Sequence, residues 1–299
     1  MDNYAEIEKT CRESGGFCER NFTLADKTSM KIGGECDIFA APKDEKTLCV
    51  LLKICRERGI SHFILGKGSN VLINRFRGVV ISTAELCDIK ACGTFITAGA
   101  GAALAAVCKT ALERSLTGME CLFGIPGSVG GALYMNAGAY GGEMKDVVES
   151  CRYIGEDGEF HEMRAEEMAL CYRGSVFRKR DCVITSVTFR LQEGEKAAIK
   201  ARMDELMQRR RDKQPLEYPS CGSTFKRPEN GFAAALIEEC GLKGCSVGGA
   251  QVSEKHSGFV INKGGAAFED VTALVEHIKK VVREEKGVEL ECEMIIVDK

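Results

Sequence analysis

The chain has 299 residues, 44% of them apolar and 28% charged, with a formal net charge of −3. That length accommodates two domains, and the charge balance excludes a large basic face for nucleic acid. No apolar run approaches a membrane span, and the polar, mixed-charge first twenty residues lack the apolar core of a signal peptide, so a cytoplasmic protein is expected.

Sixteen cysteines are many for such a chain. No two are separated by two residues, and the four histidines, His62, His161, His256 and His277, are scattered, which argues against a metal site. Most cysteines stand in apolar contexts, such as Cys49 and Cys55 on one helical stripe, and read as small buried thiols in a reducing compartment.

Residues 44–58 read as a helix, with Leu48, Leu51, Leu52 and Cys55 on one face and Gly59 as its stop. A strand over 60–65 leads straight into Gly66-Lys67-Gly68-Ser69-Asn70. Short extended segments follow at 71–73, 79–81 and 95–98, then a helix over 102–114. The next stretch, 124–142, has seven glycines among nineteen residues and reads as a long loop. Residues 153–154 and 182–191 again look extended. A charged helix over 195–214 is stopped by Pro215. Residues 268–286 form a strong amphipathic helix, with Phe268, Val271, Leu274, Val275, Ile278 and Val281 as its stripe, acids in its first turn and Gly287 at its end. Residues 288–297 read as a closing strand. The pattern is α+β, with a first domain ending near 193 and a second beginning at 194.

Glycine loses more backbone entropy on folding than any other residue, so such density needs a reason: positive-φ turns, or backbone in close contact with a ligand. Successive N–H groups without side chains form a nest for anionic oxygens. Two such loops in one chain point to a pyrophosphate, hence a dinucleotide cofactor. Neither usual motif applies. The run Gly99-Ala100-Gly101-Ala102-Ala103-Leu104 has Leu104 where a Rossmann unit needs a small residue, and no acidic residue follows at the ribose position. Gly66-Lys67-Gly68-Ser69 lacks Walker A spacing.

Taken in order, five segments carry a resemblance: Leu65-Gly66-Lys67-Gly68-Ser69-Asn70-Val71-Leu72, the stretch 124–142, Tyr172-Arg173-Gly174-Ser175-Val176-Phe177, Cys221-Gly222-Ser223-Thr224-Phe225-Lys226, and Leu290-Glu291-Cys292-Glu293. Together they resemble the UDP-N-acetylenolpyruvoylglucosamine reductase family over nearly the whole chain. The resemblance implies an FAD-binding domain of the vanillyl-alcohol oxidase / p-cresol methylhydroxylase type over 28–193, preceded by a helical extension over 1–27. A substrate-binding α+β domain follows over 194–299. It also implies non-covalent FAD, NADPH as hydride donor, UDP-N-acetylglucosamine enolpyruvate as substrate, no metal, and a monomer or weak oligomer. Cofactor contacts are expected from Gly66, Lys67, Gly68, Ser69, Asn70, Gly124, Ile125, Pro126, Gly127, Ser128, Gly130, Gly131, Asn136, Gly138 and Ala139. Only fifty positions separate Arg173 from Ser223, so the chain resembles the family's shorter form, which lacks an inserted tyrosine lid.

In the family's reaction a hydride adds to the enolpyruvyl methylene carbon, and negative charge develops on the adjoining carboxylate. Catalysis then needs charge stabilisation there and a proton for the neighbouring carbon. Arg173 fits the first task, because guanidinium stays charged and engages carboxylates through paired donors. Ser223 fits the proton donor, with Gly222 allowing close approach. Glu293 is matched by its place two residues before Ile295-Ile296-Val297; alternation puts Glu291 on the same face. Lys213, Tyr172 and Arg227 are weaker candidates for the nucleotide sugar; Arg227-Pro228 departs from members with asparagine before the proline. The alternatives are another flavoprotein of the same cofactor fold, an oxidase of alcohols or sugars with covalently tethered FAD and a different C-terminal cap, or a non-catalytic flavin-binding protein, which would need the glycine loops but not Arg173, Ser223 and Glu293 together.

Overall fold

A computed structural model describes residues 4–299; residues 1–3 of the expected N-terminal extension lie outside the described residues. The chain divides into two compact units, neither contiguous in sequence: Met1–Phe22, Cys36–Lys67 and Arg77–Arg209 form the first, and Thr23–Glu35, Gly68–Phe76 and Arg210–Lys299 the second. The linear boundaries read from the sequence therefore miss two short excursions, 23–35 and 68–76, that fold with the C-terminal third.

The first unit is built on two sheets. In a four-stranded sheet the order is Phe17–Thr23, Glu35–Ala41, Phe76–Ser82, His62–Leu65, the last two parallel. The helix Glu45–Glu57 packs on it, burying Leu48, Leu51, Leu52 and Cys55 against Ile38, Val79 and Ile81. The extension over 1–27 is more than helical: after the helix Ala5–Glu13 it supplies the edge strand Phe17–Thr23. A five-stranded antiparallel sheet runs Phe160–Arg164, Val148–Ile154, Val183–Arg190, Phe95–Gly99, Ile89–Cys92. The helix Leu104–Glu113 covers it with Val107, Cys108 and Ala111.

The second unit has a three-stranded antiparallel sheet, Ser246–Val247, Ala250–Val252 and Val260–Asn262. Its core is completed by the helix Phe268–Lys286, which buries Val271, Leu274, Val275, Ile278 and Val282. Local signals set both ends of that helix. The Asp270 carboxylate accepts the N–H groups of Ala267 and Gly249 at 3.0 and 3.1 Å, and Gly287 turns left-handed at φ +67°. The expected strand over 288–297 is shorter. Only Ile295–Val297 is regular, pairing in parallel with Val71–Ile73, and an isolated bridge joins Cys292 to Phe225.

Half of the cysteines are buried, fewer than the sequence suggests; Cys87, Cys92 and Cys171 are exposed. No helix of the described residues is long and apolar enough to cross a membrane.

Asp44 caps the helix Glu45–Glu57 by accepting the Thr47 N–H at 2.8 Å, and that bond is the main cause of a carboxyl held below its usual range. A carboxyl lowered by folding contributes stability above its unfolded pKa of about 4 and loses it as pH falls through the folded value. Asp44→Ala should therefore cost about 1 kcal/mol at pH 7. In urea denaturation, the gap from the unsubstituted protein should narrow as pH drops below about 4.

Candidate active site

The parallel strands His62–Leu65 and Phe76–Ser82 present Gly66-Lys67-Gly68-Ser69-Asn70 at the sheet end. The loop's carbonyls are tied back to protein: Gly68 C=O accepts the N–H and Oγ–H of Ser29 at 3.0 and 3.3 Å, and Asn70 C=O accepts Ile295 N–H at 3.0 Å. Among the described residues, no protein acceptor meets the N–H groups of Lys67, Gly68, Ser69 or Asn70. That is the donor pattern an anionic oxygen requires. Gly68 is left-handed at φ +59°, and a Cβ there would stand 2.2 Å from Lys27 O; a Cβ on Gly66 would stand 2.3 Å from Ser128 Oγ. The donor set fits a dinucleotide pyrophosphate.

The second glycine stretch is not one loop. It contains the short helix Val129–Tyr134, capped by Ser128, whose Oγ accepts Gly131 N–H at 3.4 Å. A tight hairpin follows, pairing Gly138–Ala139 with Gly142–Glu143 through Tyr140 and Gly141, both at positive φ. Gly124, Ile125, Gly127 and Ala139 are half-buried, while Pro126 and Gly131 are exposed. At three of the expected cofactor positions the structure also shows close protein neighbours. A Cβ on Gly130 would meet Ala100 Cβ at 2.8 Å, and one on Gly138 would meet Glu143 Cγ at 2.6 Å, so both positions need glycine for protein packing. Asn136 is fully buried, and its side chain is committed to Glu143, Lys145 and Cys171.

Arg173 lies in the first unit, third in a turn closed by Gly174 N–H on Cys171 C=O at 3.0 Å. Its φ of +53° is left-handed, which costs a non-glycine residue on the order of 1–3 kcal/mol. Arg173 is half-buried, and its guanidinium stands 5.1 Å from the ring centre of Tyr172, itself 48% exposed. Nearby, Glu143 is held below the usual carboxylate range, first by its bond to Lys145, then by Asn136 and the Arg173 charge.

Ser223 and Glu293 lie in the second unit, on two segments bridged at Phe225 and Cys292. Glu293 N–H donates to Thr224 C=O and Lys226 N–H to Glu291 C=O, each at 2.8 Å. The two acids then part company. Glu291 is exposed and ion-paired to Lys226. Glu293 is half-buried, and its carbonyl accepts Asn70 Nδ2 at 3.1 Å, which links the first glycine loop to the acidic segment. Sequence reasoning missed that link, because a contact 223 residues long leaves no local signal. Ser223 is half-buried beside Gly222 (φ +74°), and its hydroxyl has no protein partner among the described residues. Thr224, by contrast, is buried, with Oγ1 accepting Val260 N–H at 3.0 Å. Burial pushes the neighbouring Cys221 thiol up to about 12, so it is no rival acid at neutral pH. Lys213 ends the helix Lys196–Lys213 and is exposed; the Arg227 guanidinium lies 4.2 Å over the Phe232 ring. Among the described residues no three metal-ligating side chains cluster.

Residues 36–164 match the family model described as an FAD binding domain, and residues 214–297 match "UDP-N-acetylenolpyruvoylglucosamine reductase, C-terminal domain". The chain is 50% identical to the UDP-N-acetylenolpyruvoylglucosamine reductase of Clostridium novyi, covering 93% of this chain and 92% of that one. It is 47% identical to the Clostridium perfringens protein of the same name, covering 99% of each. The crystal structure of the Thermus caldophilus reductase superposes with a TM-score of 0.81 at 33% identity, covering 95% of this chain and all of that one.

The close approach of Ser128 to Gly66 makes a direct test of the cofactor loop. Gly66→Val should force Ser128 Oγ aside and leave the purified protein without its yellow flavin absorbance. Full flavin absorbance in the valine variant would show that the loop does not hold the cofactor.

Proposed function

The chain belongs to the UDP-N-acetylenolpyruvoylglucosamine reductase family, and from that premise we propose how its own residues carry the reaction. The protein is an FAD-dependent oxidoreductase that uses NADPH to reduce the enolpyruvyl double bond of UDP-N-acetylglucosamine enolpyruvate, yielding UDP-N-acetylmuramate for peptidoglycan synthesis. The bound flavin supplies the hydride relay between NADPH and the enolpyruvyl carbon. The N–H groups of residues 67–70 hold the pyrophosphate of FAD.

Arg173 takes the substrate carboxylate. Its charge is permanent, and its planar fork meets both carboxylate oxygens as they gain electron density. Ser223 donates the proton to the carbon beside the carboxylate. The observation that carries this role is that Ser223 is half-buried, with a hydroxyl uncommitted to protein among the described residues, while the Thr224 hydroxyl next to it accepts Val260 N–H. Glu293 acts on the same charge, by hydrogen-bonding the enolate-like species or orienting the serine hydroxyl. Its half-burial supports it over Glu291, whose carboxylate is exposed and tied to Lys226. Tyr172, Lys213 and Arg227 serve the nucleotide sugar, two of them cations suited to its phosphates. We place the enzyme in the cytoplasm as a monomer or weak oligomer; sixteen cysteines held as free thiols fit a reducing compartment.

Stopped-flow kinetics separates the two half-reactions. Ser223→Ala should bleach normally with NADPH, yet be reoxidised by the enolpyruvyl sugar ~10²–10⁴-fold more slowly. Equal slowing of both halves would place the serine at the flavin instead. Glu293→Gln should impair reoxidation with flavin content intact, and Glu291→Gln should have little effect. The reverse order between these two variants would move the carboxylate role to Glu291.

A further inference from the structure

Asn136 is 0% exposed, the most deeply buried of the polar side chains among the described residues. Both donors of its amide and its oxygen are engaged within the first unit. Nδ2 donates to Glu143 Oε2 at 2.8 Å and to Cys171 C=O at 3.0 Å, and Oδ1 accepts Lys145 N–H at 2.9 Å. Cys171 opens the turn that carries Arg173, and the same carbonyl accepts the turn-closing Gly174 N–H. Both lone pairs of that oxygen are therefore taken, one by the turn and one by Asn136. A second tie lies on the other side of the arginine, where Ser175 Oγ–H donates to Tyr134 C=O at 2.7 Å. Residues 134–136 thus grip the turn on both sides of Arg173.

We propose that Asn136, bracketed by Glu143, is a positioning residue for Arg173: it holds the strained left-handed turn that presents the guanidinium to the substrate carboxylate. The proposal rests on the carboxylate role given to Arg173 above. Asn136 is itself at φ +43°, a region asparagine tolerates better than most residues. Left-handed backbone at Arg173 persists only when its surroundings over-determine it, and the shared Cys171 carbonyl does that. The Glu143 carboxylate, fixed by Asn136 and Lys145, adds a charge that favours the guanidinium nearby. Without the bracket the arginine keeps its charge but loses its aim, and a misplacement of about 1 Å costs on the order of 10²-fold in rate.

Asn136→Asp keeps the shape and replaces the donor facing Glu143 and Cys171 C=O with an acceptor. The titratable groups around that position are Glu143, Lys145, Arg173 and the Cys171 thiol, with Asp146 behind Glu143, whose N–H it accepts at 2.7 Å. Two carboxylates at hydrogen-bond distance cannot both ionise freely, so the pair retains a proton well above the usual carboxylate range. Reoxidation by the enolpyruvyl sugar should be slowed ~10²-fold at pH 8 and recover as pH falls, with KM for the sugar changed much less than kcat. The second readout needs no turnover. A pKa raised by folding gives stability that is present at low pH and lost as pH rises through the folded value, so the melting temperature of flavin-free Asn136→Asp should fall with rising pH where that of the unsubstituted protein does not.

Adding Glu143→Gln restores a donor to face the introduced carboxylate and should recover the melting profile, but the rate at pH 8 should stay low, because that carboxylate still faces Cys171 C=O. If Asn136→Asp alone fails to fold, the double variant supplies the measurement: slow reoxidation at pH 8 supports the bracket, and reoxidation at the unsubstituted rate overturns it. Reoxidation at the unsubstituted rate from pH 6 to 8 would overturn the proposal, as would equal slowing of NADPH bleaching. Arg173→Lys separates the premise: if it reoxidises normally, the carboxylate role of Arg173 fails, whereas the melting profiles still report whether the bracket exists.

Discussion

A loop that offers amide hydrogens to an anion must send its carbonyl oxygens elsewhere, and much of this molecule answers that requirement. The carbonyls of Gly68 and Asn70 are taken by Ser29 and Ile295, two segments remote in sequence from the loop and from each other. Had water or the loop itself met those oxygens, the peptide planes would be free to rotate, and the donor face would be lost. The discontinuity of the second unit follows from this. Residues 23–35 and 68–76 leave the first unit's chain path and fold with the C-terminal third, which places Ser29, Asn70 and Ile295 in one body. Asn70 then reaches the carbonyl of Glu293, so the loop that would hold the cofactor and the segment bearing the acid are fixed by the same few hydrogen bonds.

The two residues proposed to meet the substrate are held in contrasting ways. Arg173 sits in a backbone conformation disfavoured for its residue type, and buried polar bonds on either side restrain it. Ser223 sits in ordinary backbone after a left-handed glycine, with a hydroxyl that makes no protein bond among the described residues. The difference suits the tasks proposed for them. A cation that must meet a planar carboxylate gains from a fixed direction, whereas a hydroxyl that surrenders a proton needs freedom to rotate and only a short reach.

Elements with local signals were legible. The helix Phe268–Lys286 agrees to the residue, because its apolar stripe, acidic first turn and terminal glycine all lie within the segment. The strand expected over 288–297 is mostly irregular, because its alternating residues have a strand partner only where Val71–Ile73 lies alongside. Residues 124–142 looked like loop because glycine is a poor helix former. A short helix forms there all the same, since the carbonyls of Ala100 and Ala102 accept the N–H groups of Gly130 and Val129. The positions of Arg173, Ser223 and Glu293 came from motif order. The choice of Glu293 over Glu291 gained a physical basis only from burial and from the Lys226 pair, both of which depend on segments far away in the chain.

The pairing of Val71–Ile73 with Ile295–Val297 also bears on how the protein is made. Asn74 and Asp298, bonded at the end of that pair, are 224 residues apart. At about 5–20 residues per second, the apolar run Val71-Leu72-Ile73 leaves the ribosome roughly 10–45 s before its partner strand exists. The four-stranded sheet can close earlier, since all its strands lie before residue 83. Throughout that interval a fully apolar strand with open hydrogen bonds is tethered to folded structure, which is the kind of edge that recruits other nascent chains. Completion of the second unit is therefore late relative to closure of the four-stranded sheet, and the span in which this chain most needs a chaperone is set by one parallel strand pair.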